Sequence, residues 1–425
     1  MVNLAIIGAG IGGCSAAYFA HKYLPDSKVT VYEMEERIGG RVFTFNMEKM
    51  KSEIGASFFN PINKTVCNIV KEMDFNIEKL EDPMEIAVFN GTEIVFRSSQ
   101  SNLYTMLKLF TKYKLSVLRL LLSLREANGK IRKWYEEERS VEFWELFERV
   151  DLDKWYKMPL DQILVEMGVD KDFIDEIITP ITRIIYSQNA ELGGFAGISS
   201  LLGVYGESMY SLEDGNDVLP RKLLEASASK VKLGCKVKSI EKMSNGSFRL
   251  LSEDNSSVFD GVIIAAPLEV ADIAVDNVAV QKSQACEYQK IYIRVMKGTV
   301  DSRYFNLDAS TKLPSTILTS KEADPITRFS VRESTRDESW VTVTSTEPIG
   351  NELLDDLFKT DGKTLLDHTW KAAYPIFKPT QKIPSTCLDK GLVYLNVIES
   401  AASSLESSAF AALNSIRTVK EQFKS

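Results

Sequence analysis

The sequence predicts an α/β fold in which a Rossmann-type domain is interleaved with an α+β second domain. Three observations predict it. An apolar run over Val2–Ile7 leads into Gly8-Ala9-Gly10-Ile11-Gly12-Gly13 and then a small-residue stretch with Ser15, Ala16, Ala17 and Ala20. A second strand-like run, Lys28–Tyr32, ends in Glu33. Strand patterns return at Lys230–Ala266 and Leu392–Asn396, after a long helical stretch. The first domain is therefore assembled from pieces far apart in the chain.

The opening run reads as a buried parallel strand. Gly8 permits the tight turn after it, Gly10 lets the backbone approach a pyrophosphate, and Gly13 lets helix and strand pack closely. With Ile11 and Gly12 these residues form a backbone cradle at a helix N-terminus, where an anion is favoured. Glu33 lies 20 residues beyond Gly13, the spacing of an acid that accepts from a ribose hydroxyl. A glycine fingerprint alone is weak, but here strand, helix, second strand and acid stand in order. The continuation Glu33-Met34-Glu35-Glu36-Arg37-Ile38-Gly39-Gly40-Arg41 decides between cofactors. It resembles the segment that flavin amine oxidases place after the ribose acid. Gly39 and Gly40 allow a second close approach and Arg41 can neutralise the pyrophosphate. The expected cofactor is FAD, not NAD.

Composition bounds the rest. A chain of 425 residues suggests two or three domains, and a net charge of −8 without a basic run argues against general nucleic-acid binding. Cys14, Cys67, Cys235, Cys286 and Cys387 are scattered and form no Cys-x-x-Cys pair, so neither a metal site nor a disulfide framework is expected. Cys14 reads as a small core residue. No signal peptide and no membrane-spanning run is visible, so the chain as written is expected in the cytoplasm. Glycosylation patterns at Asn63, Asn90, Asn245 and Asn255 bear on this only in a secretory setting.

After Arg41, the piece Glu53–Phe59 resembles the flavin-family segment beside the isoalloxazine, with Gly55, Ala56 and Ser57 as contacts; its plainer reading is a strand-to-turn transition. A helix over 63–73 and a hairpin from Ile86 to Phe96, turning at Asn90-Gly91, are expected to complete this block. From Ser98 to about Gly193 the pattern is helical. Met106, Phe110, Tyr113, Val117, Leu121 and Leu124 recur at helical spacing, interrupted by Lys108, Lys112, Lys114, Arg119 and Arg125. This is either a core helix of the substrate domain or a basic amphipathic helix that makes a peripheral membrane contact or roofs a lipid-sized tunnel. Phe173–Gln188 is expected to be a helix kinked at Pro180. On residue chemistry alone, Arg183, Tyr186 and Gln188 there favour a structural role. A helix over 218–228 precedes strands at Lys230–Ile240, Phe248–Ser252 and Val258–Ala266; Val237 and Ala266 join the cofactor-binding candidates. Strand runs between Ile291 and Val343 suggest an antiparallel sheet, followed by a helix over 352–373, a strand at Leu392 and a helix over 401–419 that can aim its N-terminus at the flavin. The expected domain pieces are 1–97, 205–285 and 386–425 for the cofactor domain, and 98–204 and 286–385 for the substrate domain.

Taken along nearly its whole length, the chain resembles the prenylcysteine oxidase (prenylcysteine lyase) family, within the flavin amine oxidase superfamily. The resemblance rests on Ile6–Gly13 with Ser15-Ala16-Ala17, on Gly39-Gly40-Arg41 and, most specifically, on Phe173–Gln188 with Phe195-Ala196-Gly197. It extends to Glu213-Asp214-Gly215-Asn216 and to Tyr394-Leu395-Asn396 with Ile398–Ser403. It implies a flavin amine oxidase-like two-domain fold and FAD-dependent oxidation of a prenylcysteine thioether, with oxygen, to prenyl aldehyde, cysteine and hydrogen peroxide. It also raises the weight of Arg183, Tyr186 and Gln188. Arg183 is the candidate partner of the substrate carboxylate, and Tyr186 or Glu399 the candidate for orienting water; Glu399 is in addition a cofactor candidate. The chain departs from the family at Asp214, where a second glycine is usual, and shows no signal peptide of the kind typical of its lysosomal or secreted members; such a location is the alternative expectation if the N-terminus as written is incomplete. The residue chemistry leaves other readings open: a flavin oxidase of an amine or polyene, an isomerase of an isoprenoid lipid, or a non-catalytic FAD-stabilised lipid-binding protein. No metal and no obligate protein partner is expected.

Overall fold

The computed structural model describes the chain apart from residues 1, 48–49, 81–84, 100, 138, 205–207, 254, 279–285, 336–337, 360 and 424–425. At its centre, Asn3–Ile7 (β1) pairs in parallel with Lys28–Tyr32 (β2) on one side and Gly261–Ile264 on the other. Leu392–Tyr394 and Cys387–Asp389 extend the sheet beyond Gly261–Ile264, and Lys230–Lys232 extends it beyond β2. Leu4, Ala5, Ile6, Val262, Ile263 and Ile264 are completely buried. They are apolar because a parallel sheet is covered on both faces. One cover is the helix Ile11–Tyr23 (α1), which packs on the C-terminal helix Leu405–Phe423.

Two runs read as single strands are each split between sheets. Lys230–Lys232 edges the central sheet, whereas Val237–Lys242 joins Phe248–Ser252, Ser256–Phe259 and Ala274–Asp276 in a separate four-stranded sheet. Gly234, at φ +59°, turns the chain between them. Likewise Ser256–Phe259 belongs to the second sheet and Gly261–Ile264 to the first. Periodicity marks extended backbone but does not say which edge it joins.

A seven-stranded sheet builds the other lobe, in the order Lys363–Pro375, Tyr288–Gly298, Glu338–Ser345, Ile326–Thr335, Thr316–Thr319, Ile86–Phe89 and Ile94–Arg97. This corrects two expectations. The hairpin Ile86–Arg97 does not complete the cofactor block: Ile86–Phe89 pairs in parallel with Thr316–Thr319, 230 residues away at Thr316↔Ile86. The helix expected over 352–373 is confined to Glu352–Leu357, and Lys363–Pro375 is a long strand. Alternation divides the sheet's faces. Phe329, Val331, Val341 and Val343 enter a closed apolar core, while Arg328, Ser330, Arg332, Thr342 and Thr344 face a cavity.

Helix Lys64–Glu72 (α2) packs on the C-terminal helix, and Asn102–Tyr113 (α3) and Leu115–Arg132 (α4), with shorter helices through Val204, close the cavity. The kink expected at Pro180 is a wide, π-type turn over Ile174–Ile178 just ahead of it. Proline has no N–H to give to the preceding turn, and the wider turn absorbs the loss. The helix then ends at Ser187, at φ +54°.

Candidate active site

A single cavity of about 1290 Å³ runs from the tip of β1 to the seven-stranded sheet. That exceeds the roughly 300–1,000 Å³ of a pocket for one small ligand. Gly8, Gly10, Ile11, Gly12 and Glu33 line its first end. Gly8 adopts φ +107°, and a Cβ there would meet the Ala265 carbonyl oxygen at 2.8 Å. Gly13 does not line the cavity. A Cβ on it would sit 1.9 Å from the Gly8 carbonyl oxygen, so it is needed for helix-on-strand contact. Gly10 caps α1 without a side chain, which leaves the first N–H groups of the helix for an anion. Gly10 and Gly39 form a parallel bridge, bringing Gly40 alongside. Glu33 is nearly buried and accepts from the amides of Ala9 at 2.7 Å and Glu35 at 2.9 Å. A carboxylate has about four acceptor positions, so two remain for ribose hydroxyls. Val237 is a buried core residue at the start of its strand and does not reach the cavity; as a side-chain contact it is withdrawn.

Midway, Gly55 passes so close to Arg41 that a Cβ would fall 1.9 Å from the Arg41 carbonyl oxygen. Gly55, Ala56 and Ser57 all line the cavity, as does Ala266 opposite. Asn216 fixes this segment: its side chain donates to the Ala56 carbonyl at 3.0 Å, and its amide donates to Glu53 at 3.0 Å. Gly215 (φ +94°) makes the necessary room beside Thr44. This accounts for the Glu213–Asn216 motif. Glu53 also accepts from the Thr44 hydroxyl at 2.9 Å, and burial pushes its carboxyl up to about 7.

Arg41 is not a free cation over a pyrophosphate. It forms an ion pair with buried Glu399, and its other nitrogen donates to the Ala373 carbonyl at 3.3 Å and the Ser403 hydroxyl at 3.4 Å. Glu399 accepts further from the Tyr288 phenol at 2.8 Å and the Asn396 amide at 3.0 Å. The C-terminal helix starts at Leu405 rather than 401, and Ser404 and Ser407 exchange hydrogen bonds at its first turn. Ala402, Ser403 and Leu405 line the cavity, so that helix does present its N-terminus there.

Arg183 is the main correction. It is 2% exposed and does not line the cavity. It donates to Thr319 at 3.2 Å, Asn189 at 3.0 Å and the Ile326 carbonyl at 2.9 Å, and pairs with Asp324 at 2.7 Å. It clamps helix to sheet. Gln188 similarly grips the backbone of Pro375 and Phe377. Tyr186 does line the cavity, packed against Tyr374 and Phe377, with its phenol pKa pushed up by burial.

Residue chemistry missed three cavity groups. Arg328 turns into the cavity with its Nε unpartnered and one weak bond, 3.3 Å, to the Thr344 hydroxyl. Desolvation lowers its pKa, but a guanidinium remains charged. Arg332, four residues on along the strand, and His368 also line it. Burial lowers the pKa of His368, which packs between Phe43 and Trp370. The only signal was strand alternation through 328–332, which is readable once the facing side is known.

Residues 96–425 match the prenylcysteine lyase family, and residues 6–73 match an NAD(P)-binding Rossmann-like domain. The chain belongs to the prenylcysteine lyase family. It is 29% identical to farnesylcysteine lyase of Arabidopsis thaliana over 454 residues, covering 99% of this chain and 88% of that protein. It is also 29% identical to prenylcysteine oxidase 1 of Homo sapiens over 452 residues, covering 97% and 87%. Among solved structures, a putrescine oxidase variant superposes with a TM-score of 0.68 at 14% identity, covering 100% of this chain and 99% of that one. Cyclohexylamine oxidase from Brevibacterium oxydans gives 0.68 at 15% identity, with full coverage of both chains. These likenesses share the two-domain fold.

This prenylcysteine lyase family member is an FAD-dependent oxidoreductase. Its cavity fits the cofactor. The uncapped start of α1 suits the pyrophosphate, Glu33 the ribose, and the tight Gly55–Ser57 crossing leaves room for a flat ring system. Asn396, whose buried Oδ1 lacks a partner, supplies a further acceptor on the same wall.

Proposed function

We propose that the protein cleaves prenylcysteines by oxidising the carbon next to sulfur, yielding prenyl aldehyde, cysteine and hydrogen peroxide from thioether, water and oxygen. The observation that carries this reading is one cavity that joins three kinds of lining: the glycine cradle, apolar walls that include Leu109, Ile177, Ile181, Ile185 and Leu318, and the Arg328 guanidinium, whose Nε has no partner. An isoprenoid thioether of an amino acid needs all three.

Bound FAD supplies the two-electron acceptor for a hydride and returns the electrons to oxygen. The chain's residues do the rest. The apolar walls hold a chain that has no hydrogen-bonding groups, through buried area at about 25 cal/mol per Å² before association costs. They also exclude water from all but the reacting end. The carbon losing hydride is flanked by sulfur and an alkene, both of which stabilise positive charge, so no strong base is required. Tyr186 stays protonated because burial raises its pKa, and it can orient the attacking water. Glu399 is committed to Arg41, Tyr288 and Asn396, and so acts as a positioning residue. Arg328 takes the role first given to Arg183, receiving the cysteine carboxylate.

The test is anaerobic mixing of the yellow holoprotein with farnesylcysteine. Bleaching of the visible band, followed after oxygen by peroxide and free thiol in equal amounts, is expected. A band left unchanged by farnesylcysteine but bleached by an amine would overturn the proposal.

A further inference from the structure

The helix pair α3 and α4 carries more exposed apolar surface than the fold can use. Of the eighteen large hydrophobic residues exposed among the described residues, seven fall between Leu103 and Leu122. Leu103 is 72% exposed, Leu115 and Leu122 57% each, and Tyr104, Leu107, Phe110 and Leu118 are also outward. In each helix they form an i, i+3/i+4 stripe: Leu103, Leu107 and Phe110, then Leu115, Leu118 and Leu122. The inner faces are separately accounted for. Tyr113, Val117, Leu120 and Leu124 are buried in the core, and Thr105 and Leu109 line the cavity. Lys114, at φ +49°, breaks the helix between the two stripes.

The charge on this pair opposes that of the whole chain. Residues 102–132 contain Lys108, Lys112, Lys114, Arg119, Arg125, Lys130 and Arg132 against the single acid Glu126, within a chain of net −8. Some are engaged: Lys112 pairs with Glu176, Lys130 with Glu126, and Arg119 donates to the Gly168 carbonyl. Lys108 lies over the Tyr104 ring, and neither it nor Lys114 has an acidic partner among the described residues. Apolar stripes flanked by long basic side chains fit the boundary between acyl chains and anionic headgroups. Among the described residues, no helix is long and apolar enough to cross a bilayer.

We infer that the outer face of α3 and α4 docks this protein on an anionic phospholipid surface, with the cavity opening beneath it. Because Thr105 and Leu109 of the same helix line the cavity, an isoprenoid ligand leaving the bilayer would meet the apolar chamber without crossing water. That delivery role rests on the proposed function; the docking itself does not.

The experiment is flotation of the holoprotein with vesicles of phosphatidylcholine alone or mixed with phosphatidylserine. The variants are the pair Leu107→Asp with Leu118→Asp, and the pair Lys108→Glu with Lys114→Glu. The wild type should float with the mixed vesicles and be released by salt. Each removed basic charge should weaken binding by about fivefold, and the aspartate pair by about tenfold or more. Flavin content, and turnover of a short, dispersed prenylcysteine, should be unchanged in all variants. Failure to float with mixed vesicles, flotation that survives both variants, or a wild-type dimer that the aspartate pair dissociates without vesicle binding would overturn the inference. Absent turnover with normal flotation would instead count against the proposed function.

Discussion

Arg183 donates to the backbone carbonyl of Ile326, two residues before Arg328, whose own guanidinium turns into the cavity. One arginine fixes the strand on which the other is presented. Their replacements should therefore fail differently. Arg328→Ala should weaken binding of farnesylcysteine by roughly 10- to 100-fold, the range of a charge-assisted hydrogen bond. It should leave a farnesyl thioether without the carboxylate almost unaffected. Arg183→Ala should weaken both ligands alike and lower the unfolding temperature, because it removes the guanidinium's bonds to Asn189, Thr319 and the Ile326 carbonyl and its pairing with Asp324, at a cost of about 2–3 kcal/mol. Steady-state kinetics on the two ligands, with thermal melts, separate the roles.

Two glycines of the cradle should separate folding from cofactor binding. At Gly10 a Cβ would meet only the Gly40 Cα, at 3.8 Å, whereas at Gly13 it would strike the Gly8 carbonyl oxygen. Gly10→Val should give folded protein that purifies colourless, since only the pyrophosphate's space is taken. Gly13→Ala should disturb the contact between β1 and α1 itself and melt early even without flavin. A Gly10→Val protein that retains stoichiometric FAD would contradict this placement of the pyrophosphate.

Glu53 should make stability fall with rising pH. Its carboxyl is raised from 4.5 to about 7 in the fold, so the native state holds a proton that the unfolded state has released. Between these values the unfolded chain binds fewer protons, and unfolding free energy declines as pH rises. The contribution is complete below about pH 4.5 and gone above about pH 7. Glu53→Gln can still accept from the Asn216 amide and donate to Thr44. It should flatten this dependence, and melting curves from pH 5 to 8 would reveal it.

Glu399→Gln should act through Arg41. With the acid neutralised, a guanidinium on the cavity wall loses its ion pair, and the Tyr288 phenol loses a charged acceptor. We expect weaker flavin retention with an unshifted pH profile of kcat. A displaced acidic limb in that profile would instead make Glu399 a participant in proton transfer.

Much of the cofactor half was legible because backbone geometry demands particular residues there. Only glycine tolerates the contacts at Gly8, Gly13 and Gly55, and Glu33 follows at a fixed remove. The substrate half was less legible because its chemistry depends on which face of a strand or helix looks inward. Arg183 lies in the most family-specific segment, and that drew attention to it, yet its helix turns it toward Asp324 and Thr319. Arg328 stands in an ordinary alternating strand with no motif around it. The Lys363–Pro375 strand was read as helix because charged and apolar residues are mixed through 363–373. The hairpin Ile86–Arg97 was recognised as a hairpin, but its partner strand lies some 230 residues away, beyond the reach of local pattern.

The order of strands in the central sheet has a consequence for biosynthesis. β1 is synthesised well before two strands of its sheet: its parallel neighbour Gly261–Ile264 follows more than 250 residues later, and Leu392–Tyr394 later still. Until then the apolar edge of β1 has no lasting partner, and the nascent chain must be kept from pairing elsewhere. The sheet behind the flavin site is therefore complete only once Leu392–Tyr394 has joined it: the glycine turn is made early, but the floor behind it is laid late.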